Sequence, residues 1–401
     1  MNDLNKQIMQ VIMQNLCVGC GLCSSIAGEK NIRIDLNNNG QYLPNVLNNL
    51  SCFPDGIKLE DFCPGLKIIQ SFQCSTVLEK IIGPYISSEK GFSTDNEIRF
   101  ISSSGGIITS ICLYLLEKKY VQGVVHIGKS KIDPYYNKTY VSKNREELLE
   151  NSGSRYSPSS PLINIKDTLE RVDGKICVVG RPCDIYALKR MINIYPNLSE
   201  KLFFTIAFFC AGTPTYKGTD DILNRINVTK PLKDLRYRGN GWPGNFYARS
   251  EKNEGICSYA ESWGKILSKN LLLRCKICPD GVGMFADLSV GDLWEEKNGL
   301  PSFEEKDGYS LVLTRTKLGY SIYHEAIKNK YIESELISAK IIYNIQKYQI
   351  NRKKLLGARL LAFRIKFKKY PKIKGFSLLR LSVSISLKNN LSNFWGMLKR
   401  I

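Results

Sequence analysis

The chain has 401 residues, 43% hydrophobic and 23% charged, with 57 Lys and Arg against 37 Asp and Glu. That balance excludes a disordered or fibrous polymer and is long enough for two or three folded domains. The N-terminus lacks the basic start, apolar core and small-residue cleavage site of a secretory signal, and the longest apolar run, residues 202–212, is about half of the roughly 20 residues a membrane-crossing helix needs. The sequence therefore predicts a cytoplasmic protein.

Thirteen cysteines in a reducing compartment point to metal binding or redox chemistry rather than to a disulfide framework. The first cluster, CVGCGLCSSIAG, matches a bacterial ferredoxin run C-x₂-C-x₂-C-x₃-C-P through Cys17, Cys20 and Cys23, but Ala27 stands at the fourth position. In two-cluster ferredoxins the fourth cysteine of a run serves the other cluster. The partner sought is thus a distant Cys-Pro whose own triplet has decayed, and Cys63-Pro64 supplies it. Cys17, Cys20, Cys23 and Cys63 are predicted to hold one [4Fe–4S] cluster, with Cys52 and Cys74 ranked below; tetrahedral zinc is the alternative for four thiolates.

Next, IRFISSSGGIITSICLYLLEKK reads as a Ser/Gly-rich turn before a helix with Ile108, Ile111 and Leu115 on one face, followed by a strand over residues 121–127. A turn of that kind presents backbone N–H groups to an anion. A second polar loop, NSGSRYSPSSP, offers Arg155 for a pyrophosphate and Tyr156 for a flat ring. YRGNGWPGNF is a third Gly-rich turn, with Trp242. Two apolar runs then end in loops that carry Cys183 and Cys210, which puts both thiols at the carboxyl ends of expected parallel strands, where open α/β sheets bind ligands. The pair Cys275–Cys278 completes a candidate second [4Fe–4S] set. Taken singly, Cys183 and Cys210 also suit buried small hydrophobes. No acid or base stands out: His126 lies inside a strand, and Asp184 and Asp287 are candidate proton donors only.

These motifs together resemble the coenzyme F-420 hydrogenase/dehydrogenase beta-subunit family over about residues 17–335. SSSGGIIT is similar to that family's flavin-binding Gly-Gly loop, GSRY to its Gly-Ser/Thr-Lys-Tyr loop, and PCD, FFCAG and CKIC to its cluster-binding segments. The resemblance implies FAD contacts at Gly105, Gly106, Thr109, Ser154, Arg155 and Tyr156, cluster ligands at Cys183, Cys210, Cys275 and Cys278, and two [4Fe–4S] clusters with FAD as cofactors. Arg155 stands where Lys is commoner in the family. The implied activity is an iron–sulfur flavoprotein oxidoreductase that passes electrons between the clusters and FAD to reduce or oxidise an organic substrate. A ferredoxin or a partner subunit would be the redox donor, and a deazaflavin or a glycan-pathway intermediate the organic acceptor. An electron-transfer subunit without its own substrate is the alternative.

The expected architecture is α+β to α/β: a ferredoxin-like module over residues 1–80, a mixed α/β flavin- and cluster-binding domain over 81–335, and a basic amphipathic helical tail over 336–401. The tail holds no Asp or Glu after Glu335. Its basic and aromatic residues interleave as in single-strand nucleic-acid platforms. An apolar face of Leu355, Leu356, Leu360, Leu361 and Phe363 fits an anionic lipid surface better, at the inner membrane face, or the protein's own body. No nucleic acid is expected as a partner.

Overall fold

The computed structural model describes residues 3–48, 50, 52–297, 300–367 and 371–401. Its centre is an eight-stranded sheet of β1 (Ser87–Ser93), β2 (Gly123–Lys129), β3 (Asn137–Ser142), β4 (Ile176–Gly180), β5 (Leu202–Phe208), β6 (Leu288–Asp292), β7 (Ser310–Thr314) and β8 (Ile332–Leu336). The strand order is β8-β1-β7-β6-β5-β4-β2-β3. Strands β2, β4, β5 and β6 run parallel, with antiparallel β3 on one edge and β7, β1 and β8 on the other.

The central strands read as continuous apolar runs because both faces of the sheet are covered. On β4, Ile176 and Val178 enter the core on one side while Cys177 enters the core on the other. Helix α1 (Ile107–Glu117) buries Ile107, Ile111 and Leu115 in the second core, and helix α2 (Pro182–Ile194) buries Ile185, Leu188 and Met191 in the first.

The N-terminal region consists of a helix over Asp3–Met13, the cysteine turn, a hairpin pairing Ile32–Leu36 with Tyr42–Val46, and a short helix, Leu59–Phe62, that ends at Cys63. Leu4, Ile8, Leu16, Phe53 and Phe62 belong to the same core as Ile176 and Met191, and so do Leu356, Leu360, Phe363 and Met397 of the tail. The three regions distinguished in the sequence thus share one apolar interior. A parallel pair, Lys67–Ile69 with Lys372–Lys374, ties the tail to the N-terminal region a second time.

The apolar face singled out in the tail packs on the protein's own body. Leu355, Leu356, Leu360 and Phe363 are buried in the protein's own body, and of the five only Leu361 is exposed. The aromatic residues Phe363 and Phe376 are buried as well, which removes them from any nucleic-acid platform. Part of the tail, residues 368–370, lies outside the described residues. Among the described residues no helix is long and apolar enough to cross a membrane.

Candidate functional site

A cavity of about 390 Å³ opens at the carboxyl ends of the parallel strands, within the roughly 300–1,000 Å³ usual for cofactor sites. Its wall takes Val179–Arg181 after β4, Phe208–Pro214 after β5, and Val290–Asp292 at the end of β6. This is the crevice that a doubly wound sheet leaves beyond its strand ends. Ser102–Ser104 and Gly106–Thr109 bring the start of α1 to the same space.

Gly106 caps α1 with φ +80°, a left-handed conformation open to glycine, and no side chain caps the helix. The first-turn N–H groups therefore face the cavity with the positive end of the helix dipole. Of the six residues expected to contact FAD, Gly106, Thr109, Ser154, Arg155 and Tyr156 line the cavity. Gly105 does not. Its N–H donates to Ser310 Oγ at 3.0 Å, and a Cβ there would lie 2.7 Å from the Gly91 carbonyl. Its place is the seam between loop and sheet.

Arg155 reaches the cavity wall but spends its guanidinium elsewhere. It donates to Asn137 Oδ1 at 2.7 Å, to the Leu235 carbonyl at 2.9 Å and to the Pro134 carbonyl at 2.7 Å, and it lies over the Tyr237 ring. Burial lowers its pKa from the ordinary arginine value. The side chain braces two loops rather than offering a free fork to a pyrophosphate. The Ser154 N–H is fixed by Ser103 Oγ at 2.7 Å, which locks the two cavity loops together.

One wall was not foreseen from the sequence. Arg238, wholly buried, pairs with Asp292 through two bonds of 2.9 and 3.0 Å and donates to the Pro243 carbonyl. Tyr259 and Trp294 stack at 5.3 Å beneath its guanidinium, and Tyr156 lies 4.7 Å from Trp263. Arg238, Asp292, Tyr259, Trp263 and Trp294 all border the cavity, giving it a flat aromatic side. Trp242 is packed behind, stacked on Trp294 at 4.7 Å. The signal in the sequence was Trp242, one residue layer too deep.

His126 also lines the cavity, with Nε2 2.7 Å from Ser142 Oγ. Burial pushes its pKa down to about 4, so it is neutral at pH 7. Asp184 is held by Arg181 through Nε at 2.7 Å and Nη2 at 2.8 Å. Asp287 is engaged by Thr205 and Thr316 away from the cavity. Both carboxylates are occupied as hydrogen-bond acceptors.

The eight cysteines singled out in the sequence lie in two neighbourhoods. Cys17, Cys20, Cys23 and Cys63 are near enough to act on one another electrostatically, as are Cys183, Cys210, Cys275 and Cys278. Burial pushes the Cys17 and Cys210 thiols up to about 12 and raises those of Cys20, Cys23, Cys63, Cys183 and Cys275. Backbone N–H groups point at the sulfurs: Gly19 at 3.4 Å from Cys17 Sγ and Thr213 at 3.3 Å from Cys275 Sγ. Gly65 leaves space beside Cys63, where a Cβ would lie 3.4 Å from Sγ and 2.7 Å from the Leu16 carbonyl. Among the described residues no three His, Cys, Asp or Glu groups converge closely enough to hold a metal ion. Cys52 is exposed, and Cys112 and Cys177 are buried together.

The two sets are neighbours. Arg274 donates to the Pro64 carbonyl at 2.7 Å and to the Ile277 carbonyl at 3.0 Å, joining the Cys63 loop to the Cys275–Cys278 loop. Arg181 acts on Cys17 of one set and on Cys183 and Cys210 of the other. Cys210 and Arg181 themselves border the cavity.

Two family models, describing the N-terminal and C-terminal parts of the "Coenzyme F420 hydrogenase/dehydrogenase, beta subunit", match residues 90–166 and 173–340 respectively. The beta subunit of coenzyme F420 hydrogenase from Methanosarcina barkeri is 28% identical over 266 residues, 64% of this chain and 84% of its own length. The coenzyme F420-dependent sulfite reductase of Methanocaldococcus jannaschii is 26% identical over 280 residues, 66% of this chain and 40% of its own. A chain of the F420-reducing NiFe hydrogenase complex from Methanosarcina barkeri superposes with a TM-score of 0.56 at 25% identity, covering 75% of this chain and 99% of that one.

Proposed function

We propose that this chain, which belongs to the coenzyme F420 hydrogenase/dehydrogenase beta-subunit family, is an iron–sulfur flavoprotein oxidoreductase. The observation that carries the reading is continuity: Arg274 and Arg181 link the two half-buried thiol sets, and Cys210 belongs both to the second set and to the cavity wall. Cys17, Cys20, Cys23 and Cys63 would hold one [4Fe–4S] cluster and Cys183, Cys210, Cys275 and Cys278 a second. The donor chemistry fits: eight half-buried thiols in two groups, with N–H donors aimed at sulfur, suit thiolate ligation, since a metal's charge deprotonates thiols that a desolvated setting keeps neutral.

FAD would occupy the cavity, and it would supply the junction between one-electron exchange with the clusters and two-electron exchange with an organic substrate. The chain's own residues do the rest. The uncapped start of α1 attracts the anionic part of the cofactor, the Ser103–Ser154 bond holds the two loops that flank it, and the aromatic side of Tyr259, Trp263 and Trp294 offers faces to planar rings. Burial of the cysteine loops excludes water.

Relatives are subunits of coenzyme F420-linked enzymes, which supports a partner subunit as redox donor. The organic acceptor is of the deazaflavin or another planar, two-electron class.

The test is anaerobic purification of the full chain with iron, sulfide and flavin quantification and EPR of the dithionite-reduced protein. About eight iron and one FAD per chain are expected, with Cys63→Ala and Cys183→Ala each removing about four iron. Zinc in place of iron, with no flavin, would overturn the reading.

A further inference from the structure

The tail beyond residue 340, where the matched family region ends, does more than complete the core. Its helix over Lys347–Lys354 lies across the loops that carry three cysteines of the second set. Gln349 Nε2 donates to the Cys210 carbonyl at 3.2 Å and the Gly281 carbonyl at 3.0 Å. Arg352 donates to the Cys210 carbonyl at 3.0 Å and to Gln349 Oε1. Lys353 Nζ donates to the Pro279 carbonyl at 2.5 Å, and Arg359 on the next helix to the Lys276 carbonyl at 2.9 Å. Gly281 has no Cβ where one would collide with the Arg352 guanidinium. The fit between loop and strap requires that glycine.

Arg352 is 7% exposed and Lys353 4% exposed. Among the described residues neither forms an ion pair with a carboxylate. Asp280 acts on Lys353 from further off, but its oxygens already accept the N–H groups of Val282, Gly283 and Met284. Burying two adjacent basic groups without a close counter-ion is costly: Arg352 keeps its charge, while burial pushes Lys353 down to about 7, so that it is only partly charged at neutral pH. The thiols of the second set that they face are Cys210, Cys275 and Cys278 for Arg352 and Cys278 for Lys353. An anion assembled on those sulfurs would offset both charges at once.

We infer that Arg352 and Lys353 are the built-in counter-charges of an anionic iron–sulfur cluster on the second cysteine set, and that they raise its reduction potential. The inference rests on the cluster reading above. A cluster that accepts an electron gains one negative charge, so a fixed cation stabilises the reduced form more than the oxidised form. The two residues act through the cluster and are positioning residues, not catalytic ones.

The test is a dithionite titration of the full chain, purified anaerobically, with redox mediators and EPR readout. Arg352→Met and Lys353→Met keep the apolar stems while removing the charge. Each is expected to move one of the two cluster midpoints to more negative potential, the double variant further, with the other midpoint and the iron content unchanged. Arg352→Lys should titrate close to the wild type. Full iron with unmoved midpoints, or equal shifts in both clusters, overturns the inference while leaving the cluster reading intact. A wild-type chain without iron overturns the cluster reading itself. If a Met variant loses four iron, Arg352→Lys and Lys353→Arg must retain them; loss there too would assign the effect to packing and refute the counter-charge.

Discussion

Arg155 separates two accounts of the same loop. If it were a pyrophosphate ligand, Arg155→Met would weaken flavin binding by a hundredfold or more and leave the fold alone. The structure gives it three hydrogen bonds, to Asn137 Oδ1 and to the carbonyls of Leu235 and Pro134, and a place over the Tyr237 ring. A charged hydrogen bond contributes about 1.5–3 kcal/mol, and an acceptor left buried without a partner costs about 1–3 kcal/mol. Three such acceptors, discounted because water from the adjoining cavity can reach them, put the loss at about 4 kcal/mol. For 401 residues, an unfolding entropy of roughly 2.1 cal/mol/K per residue converts this to a fall in Tm of about 5 °C. Differential scanning calorimetry of the flavin-free protein measures the fall directly, and flavin titration of the still-folded variant measures affinity. An unchanged Tm with a hundredfold loss of affinity would refute the brace.

Three further outcomes are expected. Gly106→Val places a β-branched residue at φ +80° with its Cβ 3.0 Å from that of Ser93, so it should distort the start of α1 and abolish flavin retention, read as flavin per purified chain; full retention would exclude the helix start from the site. Phe363→Ala removes a wholly buried ring from the core shared by tail, sheet and N-terminal region and should cost about 3–5 kcal/mol, measured as a shift in the urea midpoint; a change below about 1 kcal/mol would mean that the tail is a detachable appendage. His126 has a folded pKa of about 4, below the ordinary 6.5, so the unfolded chain binds the extra proton first. Stability is then fully present above pH 6.5 and falls as pH drops toward 4, by about 2 kcal/mol once its contact with the cavity is allowed for. His126→Gln should flatten that part of the pH profile, and an unaltered profile would remove the histidine as its cause.

Much of the site was legible because its signals are local. Cysteine spacing, a Ser/Gly turn before a helical repeat, and apolar runs that end in Cys-Gly-Pro loops each follow from a few adjacent residues, and the Ser/Gly turn and the Cys210 loop both border the cavity at the strand ends. What escaped depends on partners far away in sequence. Arg155 looks like an anion ligand until the carbonyl of Leu235, 80 residues on, claims it. Gly105 and Gly106 are indistinguishable as letters, yet one lies in the seam with β7 and the other on the cavity wall. The aromatic side needs residues from 156 to 294 to assemble, so no window of sequence contains it. In the tail, the apolar stripe was visible but not what it faces, because amphipathicity reports that a helix has a covered side and not what covers it.

The parallel pairing of Lys67–Ile69 with Lys372–Lys374 has a consequence for synthesis. Close to Cys63 and within one core with Phe62, this contact joins segments separated by about three hundred residues, and contacts so distant in sequence form late. A ribosome releasing the chain would already have exposed all eight cluster-set cysteines before the partner strand emerged. The segment next to Cys63 would spend most of translation without its partner strand, so any loading of the first cysteine set, on the cluster reading proposed above, would compete in time with docking of the tail. A chain stopped short of residue 372 would leave the first cysteine set accessible to air and to stray metals, and its rescue would depend on supplying the missing strand in trans.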